Sequence, residues 1–262
     1  MPFLDVLDLS DTPRLYYELI DGDPARPYLV FLHEGLGSVG MWKDFPALLC
    51  QASACPGLVY DRQGYGKSAP LAQQHQIHYL HDYALRELPQ VLARLIPGRA
   101  YVLIGHSDGG SIALIHAAQR PALLRGIVTE AAHVFVEPQT LDGVRAADAS
   151  FQAGKLRALA RYHAEQAEAV LNAWSQTWLA PPFRFWNIEY LLPSIACPAL
   201  IIQGSADQYG SVAQVDAIVG KAARARKAML AACGHAPHQD MPRETLALMA
   251  AFVCGLASGP AA

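Results

Sequence analysis

Short apolar runs alternate along this chain with segments whose apolar residues recur every three or four positions. Five runs have the character of buried strands and a sixth is weaker: 27–34, 57–62, 100–106, 126–131 and 198–204, with 226–232 as the weaker one. Each is short and bounded by Gly, Pro or polar residues, as strands buried on both faces of a parallel sheet usually are. The first twenty residues contain "FLDVLDL" and "RLYYELI", which predict an antiparallel pair at the sheet edge. This alternation predicts an α/β fold, with a mostly parallel central sheet and helices on both faces.

One long segment interrupts the alternation. Residues 137–194 contain no convincing strand, and helical patterns run through most of them. We therefore predict a helical cap, 137–194, inserted into a core domain made of 1–136 and 195–262. Aromatic residues cluster in the cap, and we expect them to contribute to a substrate pocket: Trp174, Trp178, Phe183, Phe185 and Trp186. The alternative is that these rings form a small core within the cap itself.

Composition places the chain among globular proteins. Of its 262 residues, 52% are hydrophobic and 16% are charged, which is enough apolar material for a sizeable core. The formal net charge of −3, without a long run of either sign, argues weakly against a nucleic-acid or anionic-membrane partner. No apolar run approaches the ~18 residues of a membrane span, and the N-terminus lacks the basic region of a signal peptide. We expect a soluble, cytoplasmic protein, and a homodimer is left open.

The stretch "IGHSDGG" at 104–110 places one serine, Ser107, between Gly105 and Gly109. A predicted strand runs into this stretch and a helical pattern follows it, which is the context that the G-x-S-x-G turn requires. Such a turn holds its serine in a strained backbone, and side chains at the two glycine positions would collide with the neighbouring strand and helix. We therefore expect Ser107 above the carboxyl end of the sheet, where ligands bind in open α/β folds.

A serine hydroxyl needs a base within hydrogen-bond reach, and that base needs an acid to orient it. Asp207 follows one predicted strand in "IIQGSADQYG", and His235 follows the last one in "MLAACGHAPHQDMP". Because Ser107, Asp207 and His235 all lie just past strand ends, we predict that they meet as a catalytic triad. Three rivals remain for the base and the acid: His238 as the base, and Asp240 or Glu130 as the acid.

Five motifs together resemble the α/β-hydrolase superfamily across nearly the whole chain: "LHEGLGS" (32–38), "YDRQGYGKS" (60–68), "GHSDGG" (105–110), "GSADQYG" (204–210) and "CGHAPH" (233–238). The resemblance implies the α/β-hydrolase fold, the chain order Ser, Asp, His, and neither a metal nor an organic cofactor. It also implies an oxyanion hole made by the backbone N–H groups of Gly35 and Asp108. Where the family usually has His-Gly-x, this chain has Glu34 in place of the glycine, and that carboxylate is expected to repel anionic substrates.

The same resemblance implies roles for further positions. The segment "DRQGYGKS" is similar to the family's Asp-x-Arg-Gly-x-Gly-x-Ser with its arginine one place earlier, and we interpret Asp61 and Arg62 as holding the turn after that strand. Some hydrolases of amino-acid esters resemble this chain in having "SDGG". We expect the Asp108 side chain to make local hydrogen bonds, with contact to a cationic substrate group as the alternative that this likeness implies. His106 and Glu34 are additional pocket candidates.

The expected activity is two-step acyl transfer, with hydrolysis of a small carboxylic ester as the first choice. The expected partner is therefore a small ester-like molecule. Lactone or enol-lactone hydrolysis is an alternative, and so is C–C bond hydrolysis of a meta-cleavage type diketone, which capped relatives perform with the same triad. Perhydrolysis, cofactor-free oxygen chemistry and ligand binding as a receptor remain further alternatives on this fold.

Overall fold

The computed structural model describes residues 3–5, 14–154 and 157–257. Its strands are β1 (Phe3–Asp5), β2 (Arg14–Ile20), β3 (Tyr28–Leu32), β4 (Gly57–Tyr60), β5 (Tyr101–His106), β6 (Leu124–Glu130), β7 (Ala199–Gly204) and β8 (Ala225–Leu230). Its α-helices are α1 (Phe45–Ser53), α2 (Tyr79–Asp82), α3 (Leu88–Leu95), α4 (Asp108–Ala118), α5 (Pro138–Gln152), α6 (Ala160–His163), α7 (Ala167–Leu179), α8 (Val212–Lys221), α9 (Pro237–Asp240) and α10 (Pro242–Ala257). A π-helical turn covers Tyr83–Glu87, and 3-10 helices cover Val39–Trp42, Arg157–Leu159, Ala164–Gln166, Pro181–Phe185 and Glu189–Ser194.

The described strands form one sheet in the order β1-β2-β4-β3-β5-β6-β7-β8. Strands β3 to β8 pair in parallel, whereas β1 and β2 are antiparallel and form one edge. The mostly parallel α/β sheet and its antiparallel edge are therefore confirmed, and the weaker run at 226–232 belongs to β8. Of the run "FLDVLDL", residues 6–9 lie outside the described residues.

Helices cover both faces of the sheet, and side chains along each central strand point alternately to one face and the other. In β3, Val30 and Leu32 join the core beneath α3, α4 and α8, while Leu29 and Phe31 join the core beneath α1 and α10. All six residues of β5 are buried. The strand that carries the serine turn is thus fixed from both sides, which makes its carboxyl end a rigid platform.

The segment between β6 and β7 is helical. Within the described part of 137–194 there is no strand, and a single isolated bridge pairs Phe135 with Asn187. Helix α7 buries Val170 and Leu171 in the same core as α3 and α4, so the helical segment packs onto one face of the sheet. Its status as a separate cap domain with the boundaries given above remains a prediction. None of the described helices has the length and apolar character needed to cross a membrane.

Candidate active site

Ser107 lies at the sharp turn between β5 and α4. Its backbone has φ 52° and ψ −115°, a strained conformation for a residue with a side chain, and its N–H donates to the Glu130 carbonyl at 2.8 Å. A Cβ atom on Gly109 would lie 2.0 Å from the Leu32 carbonyl oxygen, and one on Gly105 would lie 2.3 Å from the Gly109 oxygen. Strand, turn and helix therefore approach so closely that both flanking positions require glycine.

The structure brings together the three residues that the sequence offered as a triad. His235 Nε2 lies 3.0 Å from Ser107 Oγ, and His235 Nδ1 lies 2.8 Å from Asp207 Oδ1. Because a carboxylate only accepts, the proton of the neutral ring is on Nδ1, which leaves Nε2 as an acceptor for the serine hydroxyl. This arrangement can withdraw a proton from Ser107.

Hydrogen bonds hold the Asp207 carboxylate in place. Besides its bond to His235, Oδ1 accepts the Tyr209 N–H at 2.8 Å, and Oδ2 accepts from Gln203 Nε2 at 3.1 Å. Burial alone raises the pKa of Asp207, but the hydrogen bond and charge of His235, with the Tyr209 N–H, outweigh it and lower that pKa below its usual value. The carboxylate is therefore ionised near neutral pH and orients the ring of His235.

The rival base and acids have other partners. His238 Nδ1 lies 2.9 Å from Glu130 Oε2, which also accepts the His238 N–H at 3.0 Å. Both side chains are buried. Asp240 Oδ2 accepts the Gly234 N–H at 2.9 Å. Glu130 and His238 thus form a separate pair, and Asp240 braces the loop before His235.

The turn after β3 is held by a buried cation. Arg62 is fully buried, and its guanidinium donates to the carbonyl oxygens of His33 and Glu34, the latter at 2.9 Å. In a trans peptide the C=O and the following N–H point in opposite directions, so the Gly35 N–H points away from Arg62. Arg62 also acts in its own turn after β4, where its guanidinium lies 4.8 Å from the ring centroid of Tyr65 and its carbonyl oxygen accepts the Tyr65 N–H at 3.0 Å. The structural role expected of Arg62 therefore extends to the neighbouring turn. Asp61 does accept a hydrogen bond within its own turn, from the Lys67 N–H at 2.8 Å.

A cavity of about 290 Å³ opens above Ser107 and His235. Its wall also contains the predicted candidates Glu34, His106, Asp108, Trp174 and Trp178. Trp174 lies directly against the turn after β3, since a Cβ on Gly35 would be 2.3 Å from its Nε1. Gly35 therefore fits beneath the indole only because it has no side chain.

Three of the predicted pocket aromatics do not line this cavity. Phe183 and Trp186 stack on each other, with ring centroids 5.6 Å apart, and both pack against Trp178 at 4.8 and 5.9 Å. Phe185 lies between them in the 3-10 helix and faces solvent, with 85% of its surface exposed. The expectation was wrong for these three residues because Phe183 in this helix and Trp186 just after it turn inward as a local core, whereas Phe185 turns outward.

Sequence reasoning missed several residues around the site. Tyr79 donates its hydroxyl to Asp108 Oδ2 at 2.6 Å and accepts from Trp178 Nε1 at 2.9 Å. His133 lines the cavity, and the Tyr209 ring lies 4.6 Å from that of His235. Nothing in the sequence near Tyr79 or His133 signals their position, whereas Tyr209 lies two residues after a predicted acid and could have been considered.

Among the described lining residues, the wall of the cavity is acidic. Its wall carries the carboxyl groups of Glu34, Asp108 and Asp240, and none of the described lining residues is lysine or arginine. Burial raises the pKa of Asp108 to about 6, although the charge of Arg62 and the Tyr79 hydrogen bond act to lower it. Asp108 Oδ1 has no hydrogen-bond partner among the described residues. The local hydrogen bond expected of Asp108 is thus present, and the second carboxyl oxygen is buried.

Comparison with known proteins agrees with this fold. A profile of the alpha/beta hydrolase family matches residues 29–248. The chain is 33% identical over 159 residues to the 2-succinyl-6-hydroxy-2,4-cyclohexadiene-1-carboxylate synthase of Enterobacter sp. (strain 638), covering 59% of this chain and 54% of that protein. It is 32% identical over 124 residues to the sn-1-specific diacylglycerol lipase ABHD11 of Mus musculus, covering 46% of this chain and 37% of the lipase. The chain thus spans about half or less of these relatives.

A carboxylesterase structure from the thaumarchaeon Nitrososphaera gargenis superimposes with a TM-score of 0.76 at 20% identity, covering 98% of this chain and 99% of that one. At this identity the likeness concerns the fold alone. The family profile extends from β3 into α10 and includes every motif that supplies the site. The chain therefore belongs to the alpha/beta hydrolase family of enzymes.

Proposed function

We propose that this protein is a serine hydrolase that cleaves a small carboxylic ester, with Ser107, His235 and Asp207 as its catalytic triad. The observation that carries the proposal is the hydrogen-bonded series from Ser107 Oγ through both ring nitrogens of His235 to Asp207, at 3.0 and 2.8 Å. Its serine end opens on a cavity, where a carbonyl carbon can reach it.

In the first step, His235 Nε2 takes the Ser107 proton as Oγ forms a bond to the ester carbonyl carbon. Asp207 accepts the Nδ1–H bond and stabilises the imidazolium that results. The backbone N–H groups of Gly35 and Asp108 donate to the oxyanion, and the N-terminal end of α4 favours its charge. Collapse of the intermediate breaks the C–O bond, and the Nε2 proton passes to the leaving alkoxide.

In the second step, water repeats the sequence. His235 Nε2 removes a proton from water as the hydroxide oxygen bonds to the acyl carbon, and the same two N–H groups hold the oxyanion. Collapse returns the proton to Ser107 Oγ and releases a carboxylic acid. The chemistry balances as ester plus water giving acid plus alcohol.

The dimensions of the cavity favour a small substrate. Its volume of about 290 Å³ lies just below the roughly 300–1,000 Å³ typical of small-molecule sites. A lactone or a small diketone would also fit, so those reactions remain alternatives. Chromogenic esters of increasing acyl length, lactones and vinylogous diketones, assayed with wild type and Ser107→Ala, test the proposal. Ser107-dependent turnover of the short esters supports it, whereas turnover of lactones or diketones alone would replace the ester assignment.

We expect the charge of the acyl group to affect kcat/KM for ester cleavage. We expect 4-nitrophenyl hemisuccinate to be cleaved with a kcat/KM about tenfold or more below that of the 4-nitrophenyl ester of pentanoic acid, because an added carboxylate meets acidic side chains at a cost of about 1 kcal/mol or more each. Glu34→Gln should narrow this ratio, and so should high salt. An unchanged ratio in Glu34→Gln would show that Glu34 does not act on the acyl group.

The acidic wall, which includes Asp108, favours an acyl group of the opposite charge. Asp108 Oδ1 is buried, so the Asp108 carboxyl group acts on the acyl group through its charge, and a cationic acyl substituent is the charged group that this acidic wall would accept. The synthase relative is named for a carboxylate compound, and we do not extend that activity to this protein because the described cavity wall offers no lysine or arginine. The 4-aminobutyrate ester therefore belongs in the same panel.

Replacement of single aromatic residues should distinguish side chains that contact the acyl group from those that do not. Trp174→Ala is expected to change the ratio of kcat/KM between short and long acyl esters by roughly tenfold to two-hundredfold, the scale of a lost apolar contact. Phe185→Ala is the matched control, since its ring is 85% exposed, and it should leave both ratio and melting temperature unchanged. A wild-type ratio in Trp174→Ala would mean that this indole does not select the acyl group.

A further inference from the structure

His106, the last residue of β5, makes a hydrogen bond that the proposed chemistry has not used. Its ring is buried, and its Nε2 lies 2.7 Å from the backbone carbonyl oxygen of His235. A carbonyl oxygen only accepts, so the proton of the His106 ring is on Nε2 and is donated to His235. No other hydrogen bond to that carbonyl occurs within the described residues.

The ring of His106 packs against His238, the rival candidate for the base, and against Trp42. The His238 ring stands edge-on to it, with centroids 5.1 Å apart, and Trp42 lies at 6.3 Å. His238 is itself held by two hydrogen bonds to Glu130. Burial, reinforced by the neighbouring His238 and His235 rings, lowers the pKa of His106 well below its usual value. The His106 ring therefore stays neutral near neutral pH and keeps one orientation.

We propose that His106 is a positioning residue, which holds the backbone of His235 so that the ring of the base stays within reach of Ser107. His235 lies in the loop between β8 and α9. Helix α9 holds the neighbouring residues, Gly234 through the Asp240 side chain and Ala236 through the Gln239 N–H, whereas the carbonyl of His235 itself is held by His106. His106 connects this loop to the rigid end of β5, next to the nucleophile itself. The inference rests on the proposed function, since it concerns the alignment of the same serine and histidine.

Two substitutions distinguish positioning from packing. His106→Phe keeps a ring against His238 and Trp42 but removes the donor. His106→Gln loses the ring but retains an N–H close to the position of Nε2. A misplaced catalytic group costs up to about 10²-fold, so His106→Phe should lower kcat by about 10- to 100-fold with little change in KM, and His106→Gln should recover most of that loss. If His106 mattered only for packing, the order would be reversed.

His116→Phe serves as the matched control. His116 is also buried and its Nδ1 also bonds to a backbone carbonyl, that of Ala84 at 3.1 Å, but it does not line the cavity. This variant should lower the melting temperature and leave kcat per active site unchanged, with active sites counted by fluorophosphonate titration. Equal kcat in His106→Phe and wild type, or a loss seen only in KM, would overturn the proposal. Failure of the proposed function is distinct, because wild type and Ser107→Ala would then show equal activity.

Discussion

Ser107→Ala is expected to lower kcat by about 10⁵-fold or more, the scale seen when a triad serine is removed from a serine protease. The hydroxyl is the group that bonds to the acyl carbon, so no other side chain in the cavity can substitute for it. A residual rate above that in water should survive, since the oxyanion donors and the binding wall remain. Initial rates with a short chromogenic ester measure this loss.

The same variant should remain folded. Serine and alanine have the same Cβ, so the strain at φ 52° is unchanged, and within the described residues the lost hydroxyl bonds to His235 Nε2. Ser175→Ala is a suitable control, because Ser175 is a buried serine on α7 whose hydroxyl bonds to Asp148 at 3.2 Å. Activity of Ser107→Ala within about tenfold of wild type, at an equal melting temperature, would remove Ser107 from the mechanism.

Replacing the two neighbouring histidines should have opposite consequences. His235→Ala is expected to lower kcat by about 10⁴-fold or more, because the proton of Ser107 then has no acceptor. The cost in stability is limited because Asp207 keeps its hydrogen bonds from the Tyr209 N–H and Gln203. His238→Ala should lower kcat by less than about tenfold, since the triad does not contain it. It should instead destabilise the fold by about 1–3 kcal/mol, because the buried Glu130 carboxyl group loses its hydrogen bond to the His238 ring, although it keeps the one from the His238 backbone N–H.

That cost corresponds to a fall in melting temperature of roughly 2–12 °C for a domain of this size. Parallel kinetics and thermal melts of the two variants check both halves of the prediction. Comparable losses of kcat in the two, with equal melting temperatures, would mean that His235 and His238 cannot be distinguished as base and support. An inactive but stable His238→Ala beside an active His235→Ala would reverse the assignment.

The fold was accessible from sequence because its determinants are local. A parallel strand buried on both faces is a short apolar run, and each of β3 to β7 has one, whereas β8 lies at the sheet edge and is only partly buried. The geometry of the site was accessible for a related reason. Ser107, Asp207 and His235 each follow the carboxyl end of a strand, and the parallel sheet brings those ends to one edge.

The walls of the cavity were less predictable because they depend on contacts between distant segments. Phe183, Phe185 and Trp186 lie within four positions of one another, yet two rings face inward and one faces solvent. Arg62 acts on a turn 28 residues before it, through the carbonyl of Glu34. Spacing in the sequence gives the face of a helix or strand, but not which residue a long side chain will reach in a neighbouring loop.

Reaction with a fluorophosphonate, followed by digestion and mass spectrometry, tests the central claim most directly. Such a probe bonds to an activated serine in an open cleft, and the activation requires the base. Wild type should carry one label, on Ser107, and the rate of labelling should fall sharply in His235→Ala. Ser107→Ala should carry none. A label on a different residue, or an enzyme that cleaves esters while Ser107 stays unmodified, would contradict the assignment of Ser107 as the nucleophile.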